Sequence, residues 1–195
     1  MDFETVFRLI IDKFQKNNVR FAIIGGFALH MAGYTRATQD IDFLVAKEDM
    51  PKVKEIMASF GYELLHESED VSNFHGKMTE LGRVDFLHAH RKYTKKMLER
   101  AREYDILNNA YNGKFVGPED LIGLKVQSSS NDPDRYHRDM ADIEFLIRAN
   151  AGQLNIDWIR EYFQLFDRED ELNEILIRVK NVNPQRKTRN TQRRT

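Results

Sequence analysis

Asp40 and Asp42 stand two residues apart in D-I-D-F-L-V, residues 40–45, where acidic and apolar residues alternate with the period of a half-buried β-strand. That spacing predicts both carboxylates on one face of the strand, with Ile41 and Phe43 turned to the core on the other. Two carboxylates held this close do not ionise together readily unless a cation is supplied. A hard divalent ion that takes carboxylate oxygens in octahedral geometry is the natural supply, Mg²⁺ first and Mn²⁺ as a substitute. In R-V-D-F-L-H, residues 83–88, Asp85 lies between Val84 and Phe86, so if those two face the core it points to the side of Asp40 and Asp42. Three converging carboxylates can bind one or two such ions, clamp a triphosphate and activate an attacking hydroxyl, which is the logic of two-metal phosphoryl and nucleotidyl transfer. Taken alone, a D-x-D strand is an ordinary solvent-facing surface, and its surroundings must change that meaning.

The surroundings do so upstream. F-A-I-I, residues 21–24, is a continuous apolar run ended by Gly25-Gly26, the pattern of a buried strand entering a tight turn, and residues 27–31 read as a short helix. Backbone N–H groups and a helix N-terminus are thereby offered fourteen residues before Asp40, where an anionic triphosphate can bind. Arg36 and Thr38 precede Asp40 by four and two residues. The permanently charged fork of Arg36 suits phosphate oxygens, although a loop arginine in solvent fits the same position. Tyr34, in the same loop, is placed either to stack on a nucleobase or to pack, while Tyr136 and Trp158 read as core.

The elements that must position these residues follow from periodicity. Apolar residues from Phe3 to Phe14 predict an amphipathic helix over 3–16, stopped at Asn17-Asn18. After the 40–45 strand come a helix at 48–60 closed by Gly61, then strands at 62–67, 73–78 and 83–88, expected to run antiparallel in succession. A helix at 91–103 and a short strand at 114–116 complete an α/β half. Gly117-Pro118-Glu119-Asp120 then opens a helix, Asp132-Pro133 begins another that runs to about 148, and helices at 155–167 and 168–180 take Asp157 and Asp167 as caps. The expected organisation is an α/β domain over 1–116, a helical domain over 117–182 and a tail over 183–195.

Composition narrows the function classes. The chain has 195 residues and no cysteine, which excludes a disulfide scaffold, a thiolate zinc site and a cysteine nucleophile, and leaves oxygen ligands as the natural metal site. No apolar run reaches the roughly 18 to 20 residues that span a bilayer, and M-D-F-E-T-V-F carries acids where a signal peptide carries bases, so a soluble, cytoplasmic protein with no membrane partner is expected. The net charge of −1 averages over an asymmetry, since N-P-Q-R-K-T-R-N-T-Q-R-R-T at 183–195 holds five bases and no acid, leaving the rest of the chain at −6. Such a tail has nothing apolar to bury, and is either a solvated terminus or an arm that touches RNA. His88 and His90 are too few for a transition-metal site, His30 reads as a packing residue, and Ser128-Ser129-Ser130 as a helix end without an activating base.

Residues 24–45, I-G-G-F-A-L-H-x-x-G-x-x-R-x-T-x-D-I-D-F-L-V, resemble the first motif of the nucleotidyltransferase superfamily with the DNA-polymerase-β-like core. They are most similar to the bacterial branch of abortive-infection nucleotidyltransferases of type IV toxin–antitoxin systems. The stretch P-E-D-L-I-G-L-K at 118–125, followed by Arg138, Asp139, Asp142 and Ile143, looks like the same branch. The resemblance implies an α+β fold with a mixed sheet flanked by helices, then a C-terminal helical bundle. It implies that Gly25 and Gly26 bind the triphosphate, that Asp40 and Asp42 hold Mg²⁺ and that Asp85 is the third carboxylate. It also implies that Lys125 contacts phosphate, with Asp139 or Asp142 supporting Lys125 or the acceptor. One departure is Gly26, where several relatives carry Ser and so offer a hydroxyl donor. The implied reaction moves a nucleoside monophosphate from ATP, GTP, CTP or UTP to a hydroxyl of tRNA or protein, with an antitoxin as partner. The rival readings are a lincosamide-like antibiotic-modifying enzyme and a protein of the same fold that binds nucleotide or a partner without turnover.

Overall fold

The computed structural model describes residues 1–106 and 111–182; the basic tail lies outside them. The chain forms a mixed α/β fold that clusters into two compact units. One comprises Met1–Met31 and Thr35–Gly117, the other Ala32–Tyr34 and Pro118 onward.

The first unit opens with α1 (Phe3–Lys16), whose free first-turn amide at Thr5 is capped by the Asp2 carboxylate at 3.3 Å. Its buried stripe of Val6, Phe7, Ile10, Ile11 and Phe14 has the spacing of one helical face. The strands are β1 (Phe21–Ile23), β2 (Asp40–Ala46), β3 (Tyr62–Glu67), β4 (Val71–Gly76), β5 (Arg83–Ala89), β6 (Arg102–Ile106) and β7 (Tyr111–Phe115). They make one seven-stranded sheet in the order β3-β4-β5-β2-β1-β7-β6. β3, β4 and β5 are successive antiparallel neighbours, whereas β2 and β5 run parallel, and β1 is antiparallel to β2 and parallel to β7. The helices of this unit are α1, α2 (Gly25–Met31), α3 (Met50–Ser59, after a 3₁₀ turn at Lys47–Asp49) and α4 (Lys92–Arg100).

The β2–β5 register generates both the core and the polar face. Ile41 and Phe43 pair with Val84 and Phe86, and the Phe43 and Phe86 rings stack at 5.6 Å, with Phe14 5.7 Å from Phe43. On the opposite face the same register sets Asp40 beside Arg83 and Asp42 beside Asp85. The alternation ends at Leu44, because β2 is buried on both faces from Phe43 onward.

Several boundaries differ from those expected. The helix at 91–103 ends at Arg100, where Ala101 turns extended (φ −56, ψ 136), and the chain becomes β6 at the sheet edge. Residues 102–105 are exposed, so no buried face marks β6 in the sequence. The strand at 73–78 begins two residues earlier, at Val71, and α2 starts at Gly25 itself. His30, expected to pack, is exposed, with Nδ1 2.8 Å from the Thr35 hydroxyl.

The second unit is helical: α5 (Pro118–Asn131), α6 (Tyr136–Ala149, after a 3₁₀ turn at Pro133–Arg135), α7 (Ile156–Gln164) and α8 (Glu169–Val182). α5 packs on α6 and α7, and α8 on both of those. The cap of α7 is Asn155, whose side chain accepts from the Trp158 amide at 3.2 Å; Asp157 sits inside the first turn instead. Asp167 is left-handed (φ 55) in the turn between α7 and α8. Tyr34 stacks on Phe145 at 4.1 Å, which occupies the ring that was open to a nucleobase. Trp158, expected in the core, is 41% exposed. Ser129 and Ser130 close α5, where both hydroxyls accept from Arg168 at 2.8 Å. Among the described residues no helix is long and apolar enough to cross a membrane.

Candidate active site

Asp40, Asp42 and Asp85 each contribute a carboxylate oxygen to a cluster in which all three lie within 4.8 Å of one another. All three are half-buried, and among the described residues they form the one group of three or more acids or histidines able to hold a metal ion. Two adjacent parallel strands place them, with Asp42 and Asp85 directly opposite each other in register. Like charges so placed repel across a sheet, and the cluster therefore favours a cation. The donor set is all carboxylate oxygen, with no nitrogen or sulfur, and it fits a hard divalent ion such as Mg²⁺ or Mn²⁺.

Each outer carboxylate is held by a neutral donor. The Thr38 hydroxyl donates to Asp40 Oδ1 at 3.0 Å and lies 3.2 Å from the Asp40 carbonyl oxygen. The Asn73 amide donates to Asp85 Oδ1 at 2.8 Å, while Arg83 Nη2 stands 3.5 Å from Asp85 Oδ2. Gly25, at φ +61, closes the turn after β1 directly against Asp42, and a Cβ there would lie 2.5 Å from the Asp42 Cγ and overlap its Oδ2. The amide of Ile24 donates to the Asp42 carbonyl at 3.0 Å, locking that turn to β2. A Cβ on Gly26 would lie 2.6 Å from the Cβ of Thr38. A side chain at position 26 thus has no room unless Thr38, which already occupies the space, shifts.

Of the residues expected at the site, Gly25, Gly26, Thr38, Asp40, Asp42 and Asp85 are brought together in the first unit. Arg36 is half-buried in the segment leading to β2. Lys125, Asp139 and Asp142 form a cluster of their own in the second unit, with Lys125 Nζ 2.7 Å from Asp139 Oδ1 and 2.7 Å from Asp142 Oδ2. Asp139 and Asp142 are one turn apart on α6 and essentially inaccessible, at 0% and 1% exposure, and Lys125 is at 7%. Arg135 Nε adds a second cation 3.4 Å from Asp139 Oδ2. Removing one partner from a buried ion cluster leaves an uncompensated charge, at a cost of about 3–5 kcal/mol. Lys125→Met is accordingly expected to lower the unfolding free energy in urea by about that amount, with part of it recovered when Asp139→Asn and Asp142→Asn are added. A Lys125→Met protein as stable as wild type would refute the cluster's structural importance.

His88 and His90 serve the β3–β4 turn. His88 is buried, its Nδ1 lies 2.9 Å from the Glu69 carbonyl oxygen and its Nε2 2.9 Å from the Ser72 hydroxyl. A carbonyl only accepts, so Nδ1 carries the proton and Nε2 accepts from Ser72. Burial holds the His88 ring below the usual histidine range, consistent with that neutral form. His90 Nε2 is 2.6 Å from Asp70 Oδ1, and this hydrogen bond keeps the Asp70 carboxyl below the ordinary range. Asn73 and Arg83 are the site residues that residue types alone did not single out, since only the cross-strand register brings them to Asp85.

The fold is similar to those of solved nucleotidyltransferases. The antibiotic-resistance factor ANT(2'')-Ia superposes with a TM-score of 0.62 at 16% identity, over 89% of this chain and 97% of that one. A lincosamide antibiotic adenylyltransferase, LnuA, gives 0.53 at 15% identity over 73% and 97%. An antigenic nucleotidyltransferase-like protein from Paracoccidioides brasiliensis gives 0.55 at 17% identity over 90% and 92%. No curated protein sequence matches the chain. The model of the family described as "Uncharacterised nucleotidyltransferase" matches residues 4–181, nearly the whole chain and every residue of the carboxylate cluster, and the chain belongs to that nucleotidyltransferase family.

Proposed function

We propose that the protein transfers a nucleoside monophosphate from an NTP to an acceptor hydroxyl, with release of pyrophosphate, and that it depends on Mg²⁺ or Mn²⁺. The observation that carries this reading is the gathering of Asp40, Asp42 and Asp85 within 4.8 Å, against the Gly25 turn. Asp40 and Asp42 would hold a divalent ion that stabilises charge on the nucleotide's phosphates, and Asp42 and Asp85 would flank the attacking hydroxyl. The backbone amides of Gly25 and Gly26 receive the triphosphate, with Arg36 as a further phosphate contact. Thr38, expected among the nucleotide-binding residues, also supports Asp40, to whose carboxylate its hydroxyl donates. The acceptor oxygen forms a bond to the α-phosphorus, the bond from that phosphorus to the bridging oxygen of pyrophosphate breaks, and Asp85 takes the hydroxyl proton. A bound divalent ion supplies the charge stabilisation on the phosphate oxygens.

The acceptor of first choice is an RNA end, such as tRNA, or a protein hydroxyl, as in a toxin with an antitoxin partner; five bases in the last thirteen residues favour RNA. A second reading, a small hydroxylated antibiotic, is favoured by the fold shared with ANT(2'')-Ia and the lincosamide enzyme. The test incubates the purified protein and Mg²⁺ with each α-labelled NTP and, separately, total RNA, cell protein, an aminoglycoside and a lincosamide. Label should enter one acceptor with equimolar pyrophosphate and stop when EDTA is added. Absence of transfer and of pyrophosphate release for all four NTPs refutes the proposal.

A further inference from the structure

Across the sheet, one row runs from β4 through β5 to β2 as Asn73, Asp85 and Asp42, each the Cα partner of the next. Two carboxylates in this row repel each other, and the third member is a neutral amide. The Asn73 nitrogen donates to Asp85 Oδ1 at 2.8 Å. A carboxylate only accepts, so chemistry fixes which end of the amide faces it. The flanking Ser72 and Phe74 are buried on the other face, so Asn73 contributes nothing to the core. Asparagine is disfavoured inside strands, and its place here runs against local preference at the position on β4 opposite Asp85. A cation in its place would compete with a metal for the carboxylate charge. Arg83 makes only a long ion pair to the other oxygen, Oδ2, at 3.5 Å, from a side chain about half exposed to solvent.

We propose that Asn73 is a positioning residue for Asp85, drawing its Oδ1 toward β4 so that the carboxylate keeps both its orientation and its full charge for the metal and the acceptor hydroxyl. This rests on the proposed reading of the three carboxylates. Partners of metal-binding groups typically change metal affinity or activity by about ten- to a hundredfold when removed.

The test uses the full chain with Asn73→Ala, Asn73→Asp and Asn73→Ser. Mn²⁺ binding is followed by electron paramagnetic resonance without nucleotide, and kcat and KM for the NTP are measured separately. Asn73→Ala should weaken Mn²⁺ binding and lower kcat, each by about ten- to a hundredfold, with KM for the NTP little changed and the melting temperature in EDTA close to wild type. Asn73→Asp keeps the shape but cannot donate from an ionised carboxylate, and should lose kcat without losing Mn²⁺ affinity. Asn73→Ser, which retains a donor, should recover part of kcat. Wild-type Mn²⁺ affinity and wild-type kcat in both Asn73→Ala and Asn73→Asp would overturn the proposal alone. A wild-type protein that binds no Mn²⁺ would overturn the metal reading together with it.

Discussion

Asp42→Ala is expected to lower nucleotidyl transfer by about a thousandfold or more, because on the proposed reading it would position the ion and the hydroxyl, whose charge stabilisation is worth several kcal/mol, and each 1.4 kcal/mol is about tenfold in rate. Asp42 should have the largest effect because it is the central one of the three carboxylates. It pairs with Asp85 across the parallel register, shares a strand face with Asp40 and lies under the Gly25 turn. The same placement couples metal binding to stability. Its backbone bond from the Ile24 amide is retained in the variant. Wild type should melt higher with Mg²⁺ than in EDTA, by mass action on the folded state, and Asp42→Ala should lose most of that difference. Pyrophosphate release and calorimetric melting with and without Mg²⁺ check both halves. Transfer at the wild-type rate would remove Asp42 from the reaction.

The parts of the site legible in the sequence are those set by short-range periodicity. The D-I-D alternation decides a face within one strand, and R-V-D-F decides it within another, and both carboxylate faces follow from a period of two. Gly25-Gly26 is legible as a turn because nothing else follows a buried apolar run so abruptly. What remains hidden depends on register between strands distant in sequence. Asn73 meets Asp85 because β4 pairs with β5 in one particular alignment, and no property of either residue encodes it. β6 escapes because residues 102–105 are exposed, so its existence rests on backbone pairing with β7. The α7 cap shows competition between two good candidates, with Asn155 taking the role expected of Asp157 two residues on. Lys125 lies between Asp139 and Asp142, one helical turn apart on α6, where the sequence left open which of the two would support it.

Gly25→Ala should be nearly as damaging to transfer as loss of Asp42, by at least about a hundredfold, a loss of the size caused by removing one well-placed charge-stabilising group. Two effects combine at this position. The left-handed backbone at φ +61 costs a residue with a Cβ about 1–2 kcal/mol. That Cβ would also lie 2.5 Å from the Asp42 Cγ and 2.8 Å from its Cβ, and would overlap Oδ2, so the carboxylate must leave its place. Only the second effect depends on Asp42, and a double-mutant cycle separates them. In an Asp42→Gly background the overlapping atoms are gone. The destabilisation caused by Gly25→Ala, read from urea midpoints, should then shrink to about the 1–2 kcal/mol of backbone strain. An equal cost in both backgrounds would mean that the turn, and not the carboxylate, requires glycine. Gly26 offers the parallel case one step removed, since its Cβ would strike Thr38, which holds Asp40. Gly26→Ala should therefore impair transfer through Asp40, and Thr38→Gly in the same chain should relieve the clash without restoring the hydrogen bond. The two glycines thus guard different carboxylates, and this is a physical reason for the pair that phosphate binding by itself does not provide.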